Sequence, residues 1–314
     1  MQGPSEGRPR RAAIVFVWVT VMLDMVALGL VVPVVPPLVK GLLGGDTARA
    51  AEIIGVFGTA WALMQFLAMP LLGRLSDAYG RRPVILLSNL GLGLDHLLMA
   101  LAPSLGWLFV GRIISGITAA SVTTASAYIA DVTPPERRAA GFGMLSAAFG
   151  VGFVIGPAMG GYLVELGPRL PFWVAAGLSL ANALWGLLVL PESLPREQRR
   201  PFDWRQATPV RSTGILASSP RLLRLSLLHF LVNLAHVVLP STAVLYAGYR
   251  YGWRDRDVGL MLAGIGVSSV VVQGFLVGKV IALVGDRRAL LFGLVAVGLG
   301  FGCYGLAPTG ALSA

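Results

Sequence analysis

Nine apolar runs separated by polar hinges order the chain: residues 12–36, 53–73, 83–102, 105–130, 140–164, 170–191, 225–249, 258–283 and 289–307. Each is close to the roughly 17 to 25 residues with which a helix crosses a hydrocarbon core. The pattern predicts an all-α integral membrane protein. The fifth and sixth runs contain no Asp, Glu, Lys or Arg, while only APSLG separates the third from the fourth. The first run follows Arg8, Arg10 and Arg11 as a signal segment would. It is too long for a signal peptide, has no small-residue cleavage site and carries Asp24 at its middle, so it is expected to stay as a helix.

One long polar segment, PESLPREQRRPFDWRQATPVRSTGILASSPRLLR, interrupts this rhythm. It divides the chain into a six-helix N-terminal half (1–191), a linker (192–224) and a C-terminal part with three helices (225–314). Two hinges fall at corresponding places in the halves. Gly73 and Gly80 frame GRLSDAYGRRP, Gly278 and Gly285 frame GKVIALVGDRR, and basic residues follow each pair. Parallel six-helix repeats are a recurrent transporter architecture. On that frame the second half is expected to be incomplete, with helices ten to twelve lacking.

Composition agrees with the membrane reading. Mean hydropathy is +0.75, and only 13% of residues are charged, against about 25% in soluble domains. The net charge of +10 is sided. With the N-terminus cytoplasmic, seventeen Lys and Arg fall in loops on that side and six on the other, which is the positive-inside pattern. The cations thus line one membrane face instead of forming a nucleic-acid surface. Cys303 stands alone in an apolar run, which leaves no disulfide framework or cysteine metal site. GFGCYG at 300–305 fits a dinucleotide pattern but follows no strand, so its glycines read as packing residues. No cofactor and no metal are expected, and no nucleophile, base and orienting group come together as in an enzyme.

Ionisable groups in mid-membrane cost about 2.5 to more than 10 kcal/mol, which makes each a functional candidate. Asp24 and Asp95 each lie twelve residues into an apolar run, about 18 Å along a helix. Arg112 lies on the following helix. The midpoint between residues 95 and 112 falls in the APSLG turn, so an antiparallel hairpin sets the two opposite each other. A static ion pair would account for both. Asp24 has no such cation in its sequence neighbourhood and is expected to titrate or face substrate. Gln65 is a neutral polar group in the same slab, equally suited to ligand contact or a helix-to-helix hydrogen bond. His229 and His236 share one helix face with Asn233 between them; either could relay protons, although hydrogen-bonded core histidines are the plainer reading. Gly152, Gly156 and Gly160 recur every four residues around Pro157, a face for close helix approach beside a residue able to kink it. Thr133 to Glu136 has the form of a capping box opening that helix.

GRLSDAYGRRP resembles the signature loop of the major facilitator superfamily, and GFVIGPAMGG resembles the motif of its drug:proton antiporters. In order along the chain, LDMVALGLVVPVVP, WALMQFLAMP, GLDHLLMA and LFVGRIISG are similar to the tetracycline-resistance branch. The resemblance covers nearly the whole chain. It implies a major-facilitator helical bundle in a bacterial inner membrane, exporting small amphiphilic drugs against inward proton flow. Its partners would be that substrate, protons and the bilayer, with a monomer expected. It assigns proton coupling or substrate contact to Asp24, Gln65, Asp95, Arg112 and His236, and a conformational latch to Gly73, Asp77, Gly80, Arg81, Arg82 and Asp131. The antiporter motif falls on Gly152, Gly156, Pro157, Gly160 and Gly161. Two positions depart from the branch: Val297 stands where its pumps commonly carry an acid, and Ala78 where an Arg is frequent. Efflux is therefore better supported than tetracycline as the substrate. Two other readings remain open, a metabolite carrier on the same frame and a truncated, non-transporting membrane protein.

Overall fold

A computed structural model describes residues 7–119, 121–204, 207–209, 214 and 219–306; the side chains at 7–14, 139, 233, 235–242, 273, 274 and 286 lie outside the described set. Every regular element among the described residues is helical.

The apolar runs become helices, with ends set by local chemistry. The first run splits into α1 (Gly7–Val31) and α2 (Val35–Leu42). Pro33 cannot donate a backbone hydrogen bond and disfavours helix at the residue before it, so the single helix expected over 12–36 breaks at 32–34. α3 (Thr47–Tyr79) overruns its apolar stretch at both ends. Asp46 caps it by accepting from the Arg49 backbone N–H at 3.0 Å, which meets one of the orphan donors at a helix start. α3 also continues through Gly73, whose surroundings are open to 4 Å. Gly73 is therefore neither turn nor close contact, and the hinge read over 73–83 narrows to Gly80. There φ is +110°, a backbone state in which side chains are strained.

α4 (Arg81–Leu101) and α5 (Leu105–Thr118) form the predicted hairpin, and α6 (Ser121–Val132) follows. The expected capping box at Thr133 does not form. Pro135–Arg137 makes a 3₁₀ turn without a side-chain cap, and the buried Thr133 hydroxyl has no partner. α7 starts at Arg138 with Arg137 as its N-cap residue, so Thr133 stands outside the first turn that it was expected to cap. α7 (Arg138–Leu166) runs continuously through Pro157, and α8 (Leu170–Val189) follows. After the linker come α9 (Pro220–Tyr251) and α10 (Asp255–Val271), then a π turn (Val272–Leu276), α11 (Val277–Val284) and α12 (Asp286–Leu306). Gly285, between α11 and α12, has φ +79° and ψ 160°, close to the φ +110° and ψ 163° of Gly80.

Seven helical segments among the described residues are long and apolar enough to cross a membrane. The runs near 225–249 and 258–283 are helical as well, the first within α9 and the second over α10, the π turn and α11. Leu188, Leu283 and Leu306 are 75% or more exposed, as side chains facing lipid would be.

α1, α7 and α10 stack through small residues. A Cβ on Gly156 would lie 2.7 Å from Gly29 Cα, and one on Gly152 would meet Met25. A Cβ on Gly161 would lie 3.2 Å from Gly259 Cα on α10. Only glycine permits backbones this close. Two large apolar clusters lie within residues 1–191, one around Val26, Leu30, Met99 and Phe172, the other around Phe16, Val21, Ile85 and Tyr128, with a smaller one at Ala68, Leu72 and Val84. Asp24 and Asp95 lie where one cluster gives way to the other along α1 and α4.

Candidate functional site

The mid-membrane group is assembled from α1, α4, α5 and α8. Arg112 Nη2 donates to Asp95 Oδ2 at 3.2 Å and lies 2.9 Å from the sulfur of Met99. The Asp95 side chain is 0% exposed and that of Arg112 15%. Gly111 makes this possible: a Cβ there would stand 2.6 Å from Asp95 Oδ1. Hairpin counting placed these two residues opposite each other, and the side chains do meet. The pair carries no net charge, which offsets much of the penalty for taking each ion out of water.

Asp24 is held differently. It is 3% exposed, and Asn182 Nδ2 donates to its Oδ1 at 3.1 Å and to the Thr20 carbonyl at 3.2 Å. Its Oδ2 is buried without a hydrogen-bond partner, and the Ser121 hydroxyl of α6 faces the carboxyl. Its partners are thus neutral. Next to Asp95, His96 is 3% exposed and its Nδ1 lies 3.4 Å from Ser179 Oγ on α8. Asn182, Ser179 and His96 escaped the reading of the sequence because neutral polar residues inside apolar runs give no charge signal. The spacing of Ser179 and Asn182 on α8, three residues apart, was the clue available.

Gln65 on α3 is half-buried and makes no side-chain hydrogen bond among the described residues. The His236 side chain lies outside the described set. His229 is exposed, so it is not the core histidine that the plainer reading expected.

A second cluster forms where α3 meets α4. Arg81 donates from Nη1 to Asp77 Oδ1 at 2.6 Å and from Nε to Asp131 Oδ2 at 2.9 Å. The linker supplies a residue that the sequence did not single out, Glu192. Its carboxylate accepts from the Arg81 backbone N–H at 2.8 Å and from that of Arg82 at 3.3 Å. It therefore caps the first turn of α4, where the helix dipole favours an anion. It fills the space that a side chain at Gly80 would need. Glu192 also accepts from the backbone N–H groups of Ser193 and Leu194, and Ser193 Oγ donates to Asp131 at 3.2 Å. Arg82 Nη2 donates to the Leu187 carbonyl at 2.6 Å. An acid immediately after an apolar run, on an arginine-rich face, was the overlooked signal.

Membrane-length helices, paired glycine faces and buried charges define a multi-pass membrane protein of the transporter kind. The chain belongs to the Major Facilitator Superfamily, whose model matches residues 17–314. It is 39% identical over 289 residues to the tetracycline resistance protein, class C, of Escherichia coli, covering 92% of this chain and 72% of that protein. It is 27% identical to multidrug resistance protein 2 of Bacillus subtilis, over 88% of this chain and 68% of the other. Among solved structures, the human organic anion transporter MFSD10 superposes with a TM-score of 0.76 at 25% identity, covering 99% of this chain and 81% of that one. An inward-facing, unoccupied bacterial homologue of the lysosomal transporter Spinster gives 0.75 at 19% identity, covering 99% and 71%.

Proposed function

We propose that this transporter exports small amphiphilic drugs in exchange for protons, as a monomer in a bacterial inner membrane with its N-terminus cytoplasmic. Asp24 carries the reading: it is a carboxyl buried among neutral groups in a membrane protein, with one oxygen unpartnered. A permanent charge there would face the full cost of burial. A group that alternates between proton-bound and proton-free forms, the latter when the site is hydrated, need not. Similarity to tetracycline and multidrug resistance proteins supplies the substrate class.

In this reading Asp95 and Arg112 form the charged wall of the substrate path, and Gln65 faces substrate. Asp77, Gly80, Arg81, Arg82 and Asp131 latch the cytoplasmic ends of the helices. The glycines of α7 form the surface on which the two halves, 1–191 and 225–314, move across the linker. The matching backbone at Gly80 and Gly285 supports that two-part division, and the arginine-rich side supports the orientation.

The test is drug-driven proton movement in inverted membrane vesicles. Addition of an amphiphilic drug such as a tetracycline should release protons from energised vesicles, and Asp24→Asn should abolish the release at equal protein abundance. Full release with Asp24→Asn would overturn the reading.

A further inference from the structure

α8 contains no charged residue, yet two of its buried side chains are polar: one meets the buried Asp24, and the other meets His96, the chain neighbour of the buried Asp95. Asn182 reaches α1, where it donates to Asp24 and to the Thr20 carbonyl. Ser179, three residues earlier and so on the same face, reaches His96 on α4, the neighbour of Asp95. Both α8 side chains are 1% exposed. The backbone arrangement is equally close. A Cβ on Gly186 would lie 2.7 Å from Leu86 of α4 and 3.3 Å from Phe16 of α1, so α8 is packed between the two helices that bear the acids.

Asn182 Oδ1 and Asp24 Oδ2 are both buried acceptors without a donor. The amide oxygen of Asn182 lacks a donor, and a proton on Asp24 would supply one. An ionised Asp24 holds the amide by its N–H, whereas a protonated Asp24 can donate to the amide oxygen. The change in hydrogen bonding falls on α8, one turn from Ser179.

We propose that Ser179 and Asn182 are positioning residues through which the protonation of Asp24 is felt at Asp95 and Arg112. The inference deepens the proton-coupling reading and rests on it for biological purpose, although not for its test. The described groups facing each acid are few. Ser121 of α6 and Asn182 face Asp24, and glycine-rich α7 packs beside it without charge. Arg112 and Ser115 of α5 face Asp95, with His96 next to it in the chain. Arg112 is the only charged partner among them, so no second cation offers a competing electrostatic link.

A carbodiimide modifies protonated carboxyls, so its reaction with Asp95, followed by mass spectrometry against pH in the purified protein, reads titration without any substrate. Asp24→Asn should shift the Asp95 midpoint by about one pH unit, the scale of a coupled pair. In a Ser179→Ala, Asn182→Leu background that shift should fall to less than half. Asn182→Gln, which keeps the amide, should restore part of it. Ser179→Ala alone removes one hydroxyl and guards against misfolding, and it should give an intermediate shift. An undiminished shift without the α8 side chains, or no shift in the native background, overturns the inference. If the coupling is present but drug-driven proton release is not, the transport reading fails and this inference stands. If release is present and the coupling is absent, the inference alone fails.

Discussion

Asp95 and Arg112 show how one residue pair can satisfy a membrane interior. Breaking a buried pair leaves an uncompensated charge and costs about 3–5 kcal/mol, while removing both partners costs much less. Asp95→Asn and Arg112→Gln should therefore each lower unfolding stability in detergent by several kcal/mol, with the double variant recovering most of the loss. Strict additivity in that cycle would show that the observed 3.2 Å contact contributes little. Gly111 gives an independent check. A methyl group there would stand 2.6 Å from Asp95 Oδ1, and overpacking of this kind costs about 1–3 kcal/mol. Gly111→Ala should destabilise within that range, whereas Gly177→Ala, whose surroundings are open to 4 Å on α8, should be neutral or slightly stabilising.

At the scale of elements, the apolar runs identified the membrane helices because burial in lipid is a property of long averages. Helix ends were less legible. α3 extends six residues past Gly73 because residues 74–79, which include Arg74, Ser76 and Asp77, make ordinary helix, and hydropathy cannot distinguish a solvated helical turn from a loop. The split at Pro33 could have been read from proline chemistry. Glu192 could not have been placed from its neighbours alone, since its partners at Arg81 and Arg82 lie more than a hundred positions away. The glycine face of α7 was legible as a repeat, but its partners were not. α1 covers Gly152, Gly156 and Gly160, and α10 covers Gly161. The α1 contact predicts a sharp contrast. Gly156→Ala pushes a methyl against Gly29 Cα at 2.7 Å and should lower thermal stability and membrane yield. Gly143→Ala, on the same helix with open space around it, should lower neither.

At the scale of the whole molecule, two contacts lie at opposite ends of the bundle. At one end Asp77, Arg81, Asp131 and Glu192 tie α3, α4, α6 and the linker together. At the other, Gly161 of α7 meets the start of α10 at Asp255 and Arg256. In the proposed function, alternating access parts the halves at one end while they close at the other, and the α7–α10 contact is then one that opens and closes. Asp255 is suited to that. It precedes the apolar run of α10, and burial first, then the charge of Glu165 on α7, raises its pKa above the usual 3.8. A carboxyl with a raised pKa binds its proton more tightly in the packed state. The packed contact therefore carries no penalty at acid pH and loses stability as pH rises from the usual carboxylate range through the raised value, above which the penalty is complete. Asp255→Asn should remove this slope, leaving the variant more stable than the native protein at pH 7 and equal to it at pH 3. Thermal unfolding in detergent between those limits is the measurement. Parallel pH profiles for the two proteins would show that Asp255 does not loosen the contact.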